Sequence, residues 1–518
     1  MIRAMDIEAI KKDLEPLYDA LDRAERGELA YADVKPFTAK RGVYPQKNGL
    51  LMERVRITGG EASRENLRLL SDLATETQAG YLHLTSRTAI QFHDMRAAAC
   101  SVVARTCTDN GLPFRGGCAD TFRNIAVSLG SGVAPDGSQD LFPYARYLTD
   151  LIFDWEPAYN LPRKIKIGLA SPSDPGLALR QDLGFLATRN DAGEFGFAVY
   201  GAGGFGHTPS LGIKLLDFIT PAELAIAARA MVELFYDLGD RTNRARARLR
   251  HLRTSLGDDI FRAKYLEYFA RHSPGEYPPP AAFAADWSYH AAPQAAAPAE
   301  PADAADYARW LAVAVEENRF ADEASVTLFV PFGVLTPPAF AALVGLLESF
   351  NVPAVRLTAR QNVFIPSLPR ASLPALYNAL RAFPVDLTFR SIVGKVTSCI
   401  GASVCKAGIL DCPKYARLVA EALDAHFTAH PGSFTPERAR AIMDRLRLSG
   451  CPNSCNDHEQ AVIGLQGLRK RVGEDLVDGF TVWRKDAAAH IGAEDPAFIP
   501  AADLPARIVP LLEEAGLL

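Results

Sequence analysis

The chain has 518 residues, of which 48% are hydrophobic and 23% are charged, so its length allows about two to four domains with ordinary cores. Its formal net charge of −5 favours neither a nucleic-acid binder nor a polyanionic tail. The eight cysteines are too few for a disulfide scaffold, and no apolar run approaches the ~18 residues of a membrane span. We therefore expect a globular protein of the reducing cytoplasm that binds neither nucleic acid nor membrane.

The periodicity of apolar residues predicts the first elements of the chain. Apolar residues recur at helical spacing near the start and predict an amphipathic helix, with apolar positions at Ile7, Ile10, Leu14, Leu17 and Leu21. The charged residues between them interrupt any apolar core of a secretory signal. Alternation from Leu51 to Thr58 predicts a strand, and the pattern from Ser63 to Ala74 predicts a helix with Ser63 as its N-cap.

Three segments recur at one ungapped offset of 273 residues. They are Val55–Gly60 over Leu328–Gly333, Leu84–Arg87 over Leu357–Arg360, and the helix positions Leu67, Leu70 and Leu73 over Phe340, Leu343 and Leu346. We infer two copies of a strand–helix–strand unit, and hence a chain built from two related halves.

Composition divides the chain further. The Pro- and Ala-rich stretch 273–306 cannot form a packed core and is predicted to be an extended connector. Strand and helix patterns alternate on both sides of it, which predicts an α+β fold made of α/β layers. The predicted parts are an N-terminal helix and linker (1–45), the first repeat (46–107), a larger domain (108–272), the connector (273–306), the second repeat (307–390) and a second larger domain (391–518).

Four cysteines form two close pairs. Cys399 and Cys405 are spaced C-x5-C, and Cys451 and Cys455 are spaced C-x3-C. Four thiolates are the ligand set of a 4Fe-4S cluster. Pairs in structural zinc sites are usually closer than C-x5-C, so the spacing favours iron–sulfur over zinc without excluding zinc. We interpret three other cysteines as ordinary thiols: Cys100, Cys107 and Cys412.

These motifs resemble those of a known family. The C-x5-C pair, a long gap, Gly-Cys-Pro-Asn-Ser-Cys at 450–455 and Ile-Gly-Leu-Gln-Gly at 463–467 resemble the siroheme-dependent sulfite and nitrite reductases. The resemblance implies ferredoxin-like repeats, and siroheme and 4Fe-4S domains at 108–272 and 391–518. It also implies that Cys399, Cys405 and Cys451 bind the cluster alone, that Cys455 bridges cluster and haem iron, and that Asn453 lies against the siroheme.

The resemblance also assigns cations to the anionic substrate. Arg87 in Thr-Ser-Arg, Arg123 in Asp-Thr-Phe-Arg-Asn, and Lys164 and Lys166 in Pro-Arg-Lys-Ile-Lys match motifs whose cations face it. On a strand, Lys164 and Lys166 would project from one face into one pocket. The competing interpretation of each residue is a solvated surface cation. Arg360 copies Arg87 in the second repeat, but the family gives it no place in the anion pocket.

Further residues are expected to contact the siroheme, whose carboxylates need cations. Arg163 would meet it from the same predicted strand, and Arg248 and Arg250 are the best matches within the basic stretch 241–253. A nucleic-acid helix is the competing explanation for that stretch. The Gly-rich segment Tyr200–Gly206 lacks a proper dinucleotide-binding pattern, and we interpret it as a turn that lets backbone approach the macrocycle.

One detail of the resemblance concerns a tyrosine and a cysteine near the expected site. In some sulfite-reducing relatives a Tyr and a Cys are covalently joined near the site, and Tyr44 and Cys118 occupy the corresponding places. A free thiol and a packed tyrosine explain both residues equally well.

After Asp478–Val482 the family has a strand that leads to a Gly-Gly pair, whereas this chain continues with Trp483–Lys485.

The predicted function is a sulfite reductase haemoprotein that reduces sulfite to sulfide with six electrons. Nitrite reductases of the family commonly have Asn at the position of Lys166, and the sulfite dianion is expected to need more positive charge than nitrite. The alternatives are nitrite reduction to ammonia on the same site, a non-haem iron–sulfur electron-transfer protein, and a zinc-stabilised binding protein. The sequence shows no flavin or NADPH module, so the electron donor is expected to be a ferredoxin or a flavoprotein subunit.

Overall fold

The computed structural model describes residues 7–112, 114–280, 299–486 and 489–518. The first half contains helices α1 (Ile7–Glu25), α2 (Lys35–Thr38), α3 (Arg64–Glu76), α4 (Ala97–Asp109), α5 (Phe142–Phe153), α6 (Pro175–Leu179), α7 (Leu224–Leu238), α8 (Leu249–Leu256) and α9 (Asp258–Phe269). The second half contains α10 (Ala304–Ala314), α11 (Pro337–Ser349), α12 (Leu373–Arg381), α13 (Cys412–Ala429), α14 (Pro436–Arg445) and α15 (Leu504–Glu514). Most of the predicted connector, 281–298, lies outside the described residues. Among the described helices, none is both long and apolar enough to cross a membrane.

Twenty strands form four five-stranded sheets in the described part of the chain. The strands of the first half are β1 (Val43–Pro45), β2 (Leu51–Val55), β3 (Glu61–Ser63), β4 (Tyr81–Leu84), β5 (Ile90–Met95), β6 (Ala126–Val127), β7 (Ile167–Ala170), β8 (Leu183–Arg189), β9 (Phe195–Gly201) and β10 (Ile213–Ile219). Those of the second half are β11 (Val315–Glu317), β12 (Glu323–Leu328), β13 (Val334–Leu335), β14 (Ala354–Leu357), β15 (Val363–Pro369), β16 (Thr397–Ser398), β17 (Leu446–Ser449), β18 (Ile463–Val472), β19 (Asp475–Arg484) and β20 (Ala493–Pro500).

The small repeats are confirmed as two copies of one unit. Helices α3 and α11 begin and end at positions separated by the predicted offset, and so do β4 and β14. The two units also exchange a strand: β13 pairs with β4 in the order β1-β2-β5-β4-β13, and β3 pairs with β14 in the order β11-β12-β15-β14-β3. Each small sheet is therefore completed by the other half, so neither repeat is an independent domain.

The larger segments repeat the same symmetry. The sheet β6-β7-β8-β9-β10 has two parallel pairings followed by two antiparallel pairings. The sheet β16-β17-β18-β19-β20 has the same order and the same directions. The predicted α+β class and the two pseudo-symmetric halves are thus both observed.

The local predictions near the start are largely confirmed. Helix α1 buries four of the five predicted apolar positions against the core, Ile10, Leu14, Leu17 and Leu21. Ser63 caps α3, since its side chain accepts a hydrogen bond from the Asn66 amide. The predicted strand from Leu51 to Thr58 is too long, because β2 ends at Val55 and a turn with positive φ at Gly59 and Gly60 follows.

One buried acid on β2 gives a testable stability effect. The Glu53 side chain is fully buried, the Cys100 thiol contacts it, and burial raises the pKa of Glu53 well above its ordinary value. The unfolded chain therefore loses this proton first as pH rises, so the contribution of Glu53 to stability falls from the ordinary glutamate pKa upward. We expect Glu53→Gln to raise the free energy of unfolding at alkaline pH by about 1–3 kcal/mol.

Urea denaturation at about pH 6 and about pH 9 measures this effect, because the gain from Glu53→Gln should grow with pH. Glu15→Gln removes an exposed carboxyl of α1 and serves as the matched control, for which little change is expected. A gain from Glu53→Gln that is independent of pH would contradict an ionisation effect.

Candidate functional site

The four paired cysteines line one cavity. Its volume is about 410 Å³, and its walls include Cys399, Cys405, Cys451, Cys455 and the predicted Asn453. Other walls come from both halves, so the cavity lies between the two halves of the molecule. The first-half residues that matter below are Tyr44, Arg54, His83, His93, Cys118 and Arg123.

Sheet topology explains why two distant cysteines meet. Cys399 follows β16 directly and Cys451 follows β17 closely, and these strands are parallel neighbours. Parallel neighbours end at the same edge of a sheet, and the Cys399 amide donates to Leu448 O at 3.2 Å. The C-x5-C and C-x3-C segments are therefore loops at one sheet edge, where loops commonly build sites.

Several donors reach the cysteine sulfurs. The Gly450 amide lies 3.2 Å from Cys399 Sγ, and the Asn453 side-chain amide lies 3.5 Å from Cys451 Sγ. A hydrogen bond from the Cys412 thiol is the main cause that lowers the pKa of Cys399 to about 7. The thiolate, which is the form that binds metal, is therefore favoured at Cys399, whereas burial raises the pKa of Cys451 and of Cys455.

The four sulfurs surround a volume and do not converge on a point. Within the described ranges, no group of three or more His, Cys, Asp or Glu side chains is close enough to hold a single metal ion. In a cubane cluster each cysteine binds a different iron, so its ligands stand apart around a shared cavity. The arrangement fits a 4Fe-4S cluster in that respect.

The predicted lysine strand needs a correction. Strand β7 begins at Ile167, so Lys164 and Lys166 lie just before it, around the buried Ile165 that bridges to Phe122. Lys164 and Lys166 alternate with the buried Ile165 and Ile167 as predicted, but both lysines lie in the segment before β7 and not in the strand itself. The ladder hydrogen bonds begin later because the Lys166 amide donates to Asp182 Oδ2 at 2.8 Å.

Both lysines are partly exposed and sit in a cationic environment. Burial, followed by the charges of Arg248 and Lys166, lowers the pKa of Lys164 well below its ordinary value, while nearby Cys455 opposes the shift. Burial, followed by the charge of Arg87, lowers the pKa of Lys166 to about 8. Lys164 and Cys455 are therefore electrostatic neighbours, although they are far apart in sequence.

Arg123 lines the cysteine cavity. Its backbone amide donates to Ile165 O at 2.9 Å, which places it beside the lysine segment. Its guanidinium donates to Ala119 O at 2.7 Å and to Thr121 O at 3.1 Å, and burial lowers its pKa to about 10. The loop backbone thus holds this cation in the cavity wall.

Arg87 is placed differently from the prediction. It is absent from the lining of the cysteine cavity and lines a neighbouring cavity of about 20 Å³. Its Nη2 donates to Gln181 Oε1 at 2.9 Å. The adjacent Ser86 hydroxyl donates to Cys455 O at 2.6 Å, so the Thr-Ser-Arg segment contacts the second cysteine loop through Ser86.

Sequence reasoning missed Arg54. This residue lines both cavities, and its Nη1 lies 3.2 Å from Cys118 Sγ. The signal was present in β2, where apolar and polar residues alternate so that Arg54 faces away from the buried Leu51, Glu53 and Val55. An arginine on the non-core face of a strand beside the anion motifs was a candidate on pattern alone.

The three arginines predicted to contact siroheme do not line the cysteine cavity. Arg163 forms an ion pair with Asp120 at 3.1 Å. Arg248 is buried and forms an ion pair with Asp182 at 3.0 Å, and the buried Arg250 approaches Phe205 O at 3.4 Å. Other arginines of the basic stretch, Arg241, Arg244 and Arg246, are exposed.

The Gly-rich segment Tyr200–Gly206 lies close to Arg248 and to Asn453 of the second cysteine loop. A Cβ on Gly204 would lie 2.8 Å from Arg248 Nη2, and a Cβ on Gly206 would lie 3.7 Å from Asn453 O. Both glycines have φ in the region that disfavours side chains, 151° and 127°. The turn therefore brings first-half backbone against the second cysteine loop, which fits its interpretation as a close-approach turn.

Tyr44 and Cys118 are neighbours in the cavity wall. Burial, followed by the adjacent Cys118, raises the pKa of Tyr44, and the Tyr44 hydroxyl accepts a hydrogen bond from the Ala119 amide at 2.8 Å. Their covalent linkage remains a prediction, with intact mass as its test.

At the chain end, Trp483 continues β19 and its ring lies 5.5 Å from that of His458.

Buried guanidinium nitrogens without a hydrogen-bond partner indicate whether siroheme, with its several carboxylates, fits this site. Five arginines of this region have six buried guanidinium nitrogens without a hydrogen-bond partner among the described residues: Arg54 Nε, Arg56 Nε and Nη1, Arg87 Nε, Arg248 Nε and Arg250 Nε. Buried donors are normally paired, and anionic carboxylates would pair them. The donor set and the cysteine cavity therefore both fit a siroheme beside a 4Fe-4S cluster.

The fold and this site define a redox protein of two pseudo-symmetric halves, with a cysteine cavity between them. The family model for the "Nitrite and sulphite reductase 4Fe-4S domain" matches residues 118–273, and the model for the "Nitrite/Sulfite reductase ferredoxin-like half domain" matches 44–105 and 320–383. The chain belongs to the nitrite and sulphite reductase family of oxidoreductases, which bind siroheme and a 4Fe-4S cluster. The four cysteines lie outside the matched ranges.

Relatives of both kinds are similar to this chain. The ferredoxin–nitrite reductase of Synechococcus elongatus is 27% identical over 488 residues, covering 91% of this chain and 87% of that protein. The sulfite reductase [NADPH] hemoprotein beta-component of Acidithiobacillus ferrooxidans is 25% identical over 514 residues, covering 89% and 85%. The solved structure of the Mycobacterium tuberculosis NirA protein shares the fold, with a TM-score of 0.75, 22% identity and coverage of 99% and 93%.

Proposed function

We propose that this protein is a sulfite reductase haemoprotein that reduces sulfite to sulfide with six electrons. The observation that carries the proposal is the pair of partly exposed lysines, Lys164 and Lys166, set among further cations beside Cys455. An oxyanion that must gain protons and lose its oxygens as water needs such cations around it.

We assign the four cysteines the ligand roles that the resemblance implies. Cys399, Cys405 and Cys451 would bind the cluster, and Cys455 would bind both the cluster and the siroheme iron. When bound, the cluster supplies electrons to the iron at which the anion is reduced. Asn453, Arg163, Arg248 and Arg250 would hold the siroheme, and the unpartnered Arg248 and Arg250 Nε atoms suit its carboxylates.

The cations are proposed to hold the anion and to deliver protons. Lys164 and Lys166 lie near the second cysteine loop without lining the cysteine cavity, whereas Arg123 lines it. We add Arg54 because it also lines that cavity. Lys166, with a pKa of about 8, can give up a proton near neutral pH, as a general acid should. Arg87 would support the anion pocket from the neighbouring cavity, where it is held by Gln181.

Sulfite is favoured over nitrite by the charge of the pocket. The position at which related nitrite reductases commonly have Asn is a lysine here, Lys166, and the dianion gains more from an added positive charge. Nitrite reduction to ammonia is the second candidate, because a nitrite reductase is among the similar proteins. The electron donor is proposed to be a separate ferredoxin or flavoprotein subunit.

Replacement of Lys166 by Asn tests the substrate assignment. We expect the variant to lose more sulfite turnover than nitrite turnover, because one positive charge is removed from beside a dianion. The measurement is the steady-state rate with each anion under one artificial electron donor, per mole of bound siroheme. The matched control is Lys214→Asn, which removes the charge of an exposed lysine on β10. Equal losses on both anions would remove the basis for choosing sulfite.

The absorption spectrum tests the cofactor assignment that underlies the proposal. Protein purified anaerobically from cells supplied with siroheme should show a visible band well to the red of an ordinary iron–sulfur cluster. An iron–sulfur protein without haem would lack that band, and a zinc protein would show neither absorption. Either of those spectra would contradict both reductase assignments.

A further inference from the structure

A fifth cysteine lies against the proposed cluster site. Cys412 is fully buried at the first position of α13, and its thiol is within hydrogen-bonding reach of Cys399. Gly450 contacts both residues: its amide lies 3.2 Å from Cys399 Sγ, and a Cβ built on it would lie 3.1 Å from Cys412 Sγ. The sequence alone gave Cys412 no role, because it is outside both cysteine pairs.

Backbone contacts fix the position of this thiol. The amides of Ile409 and Leu410 donate to Gly450 O at 3.0 and 3.1 Å, and the Ala402 amide donates to Leu410 O at 2.7 Å. Asp411 then caps α13 by accepting from the Lys414 amide. The segment that ends at Cys412 is therefore tied to both cysteine loops and has little freedom to turn the thiol away.

Space around Gly450 leads to the same conclusion. Any Cβ at this residue would come within 2.6 Å of Leu410 O and 3.1 Å of Gly401 Cα, as well as against the Cys412 sulfur. The two cysteine loops and the start of α13 are therefore packed against one another at backbone contact distance. Such packing places the Cys412 thiol beside the proposed ligand Cys399.

We propose that Cys412 is a positioning residue for the redox centre: its S–H donates to the Cys399 ligand sulfur and raises the reduction potential of the 4Fe-4S cluster. Hydrogen bonds to ligand sulfurs are among the groups that set cluster potentials. An added electron increases the negative charge on the ligands, so a donor stabilises the reduced state more than the oxidised state. The inference rests on the proposed function, in which Cys399 binds the cluster.

The test compares the intact holoenzyme with Cys412→Ala and Cys412→Ser by a potentiometric titration of the cluster followed by EPR. We expect Cys412→Ala to lower the midpoint potential by about 28–59 mV, which is a threefold to tenfold change in the reduction equilibrium of a one-electron couple. Cys412→Ser keeps an O–H donor and should shift the potential less. Cys107→Ala, at a buried thiol on α4, is the matched control and should leave the potential unchanged.

Several outcomes would overturn the inference. An unchanged potential in Cys412→Ala would show that the thiol only fills space, and loss of cluster iron in that variant would make Cys412 a ligand. If Cys412→Ala does not accumulate, a potential in Cys412→Val that equals the wild-type value would overturn the inference in its place. A wild-type protein without a 4Fe-4S signal would refute the proposed function as well, whereas a cluster of unchanged potential in the variants would refute this inference alone.

Discussion

Replacement of Cys451 by alanine should yield a protein without the 4Fe-4S EPR signal and without measurable sulfite or nitrite turnover. Cys451 follows β17 at the edge where both cysteine loops meet, and it lines the cavity with the three other proposed ligands. Removing one thiolate leaves one iron of the cube without its protein ligand. Iron and acid-labile sulfide per chain, together with the EPR spectrum of the reduced protein, measure the outcome.

The control for this variant is Cys107→Ala, which removes a buried thiol from α4 in the first half. It should retain iron, sulfide and turnover. Full cluster content in Cys451→Ala would contradict the ligand assignment, and loss of the cluster in the Cys107→Ala control would show that iron content reports general destabilisation.

Replacement of Lys164 by methionine should lower both sulfite and nitrite turnover by roughly 10²–10⁴-fold, the range for a positioned acid–base group. The methionine preserves the length and the apolar stem of the lysine but removes its charge and protons. Lys164 is the lysine whose pKa is affected by Cys455, so it lies close to the place where the anion would bind. The measurement is the rate per mole of bound siroheme, so that cofactor loss is counted separately.

Lys264→Met serves as the control, because Lys264 is an exposed residue of α9 that pairs with Glu267 on the surface. Its turnover should equal that of the wild-type protein. A Lys164→Met variant with normal siroheme content and a normal rate would show that Lys164 only solvates the cavity.

The repeated architecture could be read from the sequence because buried positions at one offset must satisfy the same packing. Leu67, Leu70 and Leu73 match Phe340, Leu343 and Leu346, and the helices that carry them match in both bounds. The exchange of β3 and β13 between the sheets could not be read in this way. A strand of two or three residues carries almost no periodicity, and its partner is chosen by long-range contact.

The cationic residues show the same division. Motif resemblance placed Arg123, Lys164 and Lys166 beside the cysteines, and the structure brings these segments together. It also named Arg87, which does not line the cysteine cavity, and it missed Arg54, which lines that cavity together with Arg123. A motif gives the residue type but not the direction of its side chain, and here Gln181 holds the Arg87 guanidinium in the adjacent cavity.

The sequence by itself determined the cysteine quartet, the twofold repetition, the class of the fold and the family to which these belong. These properties depend on residue type and spacing along the chain. The tertiary structure alone decided that Arg54 faces the cysteine cavity, that the two halves complete each other's sheets, and that Cys412 lies beside Cys399. Those facts depend on which segments meet after folding, since contacts between residues far apart in the chain are set by packing and not by local pattern.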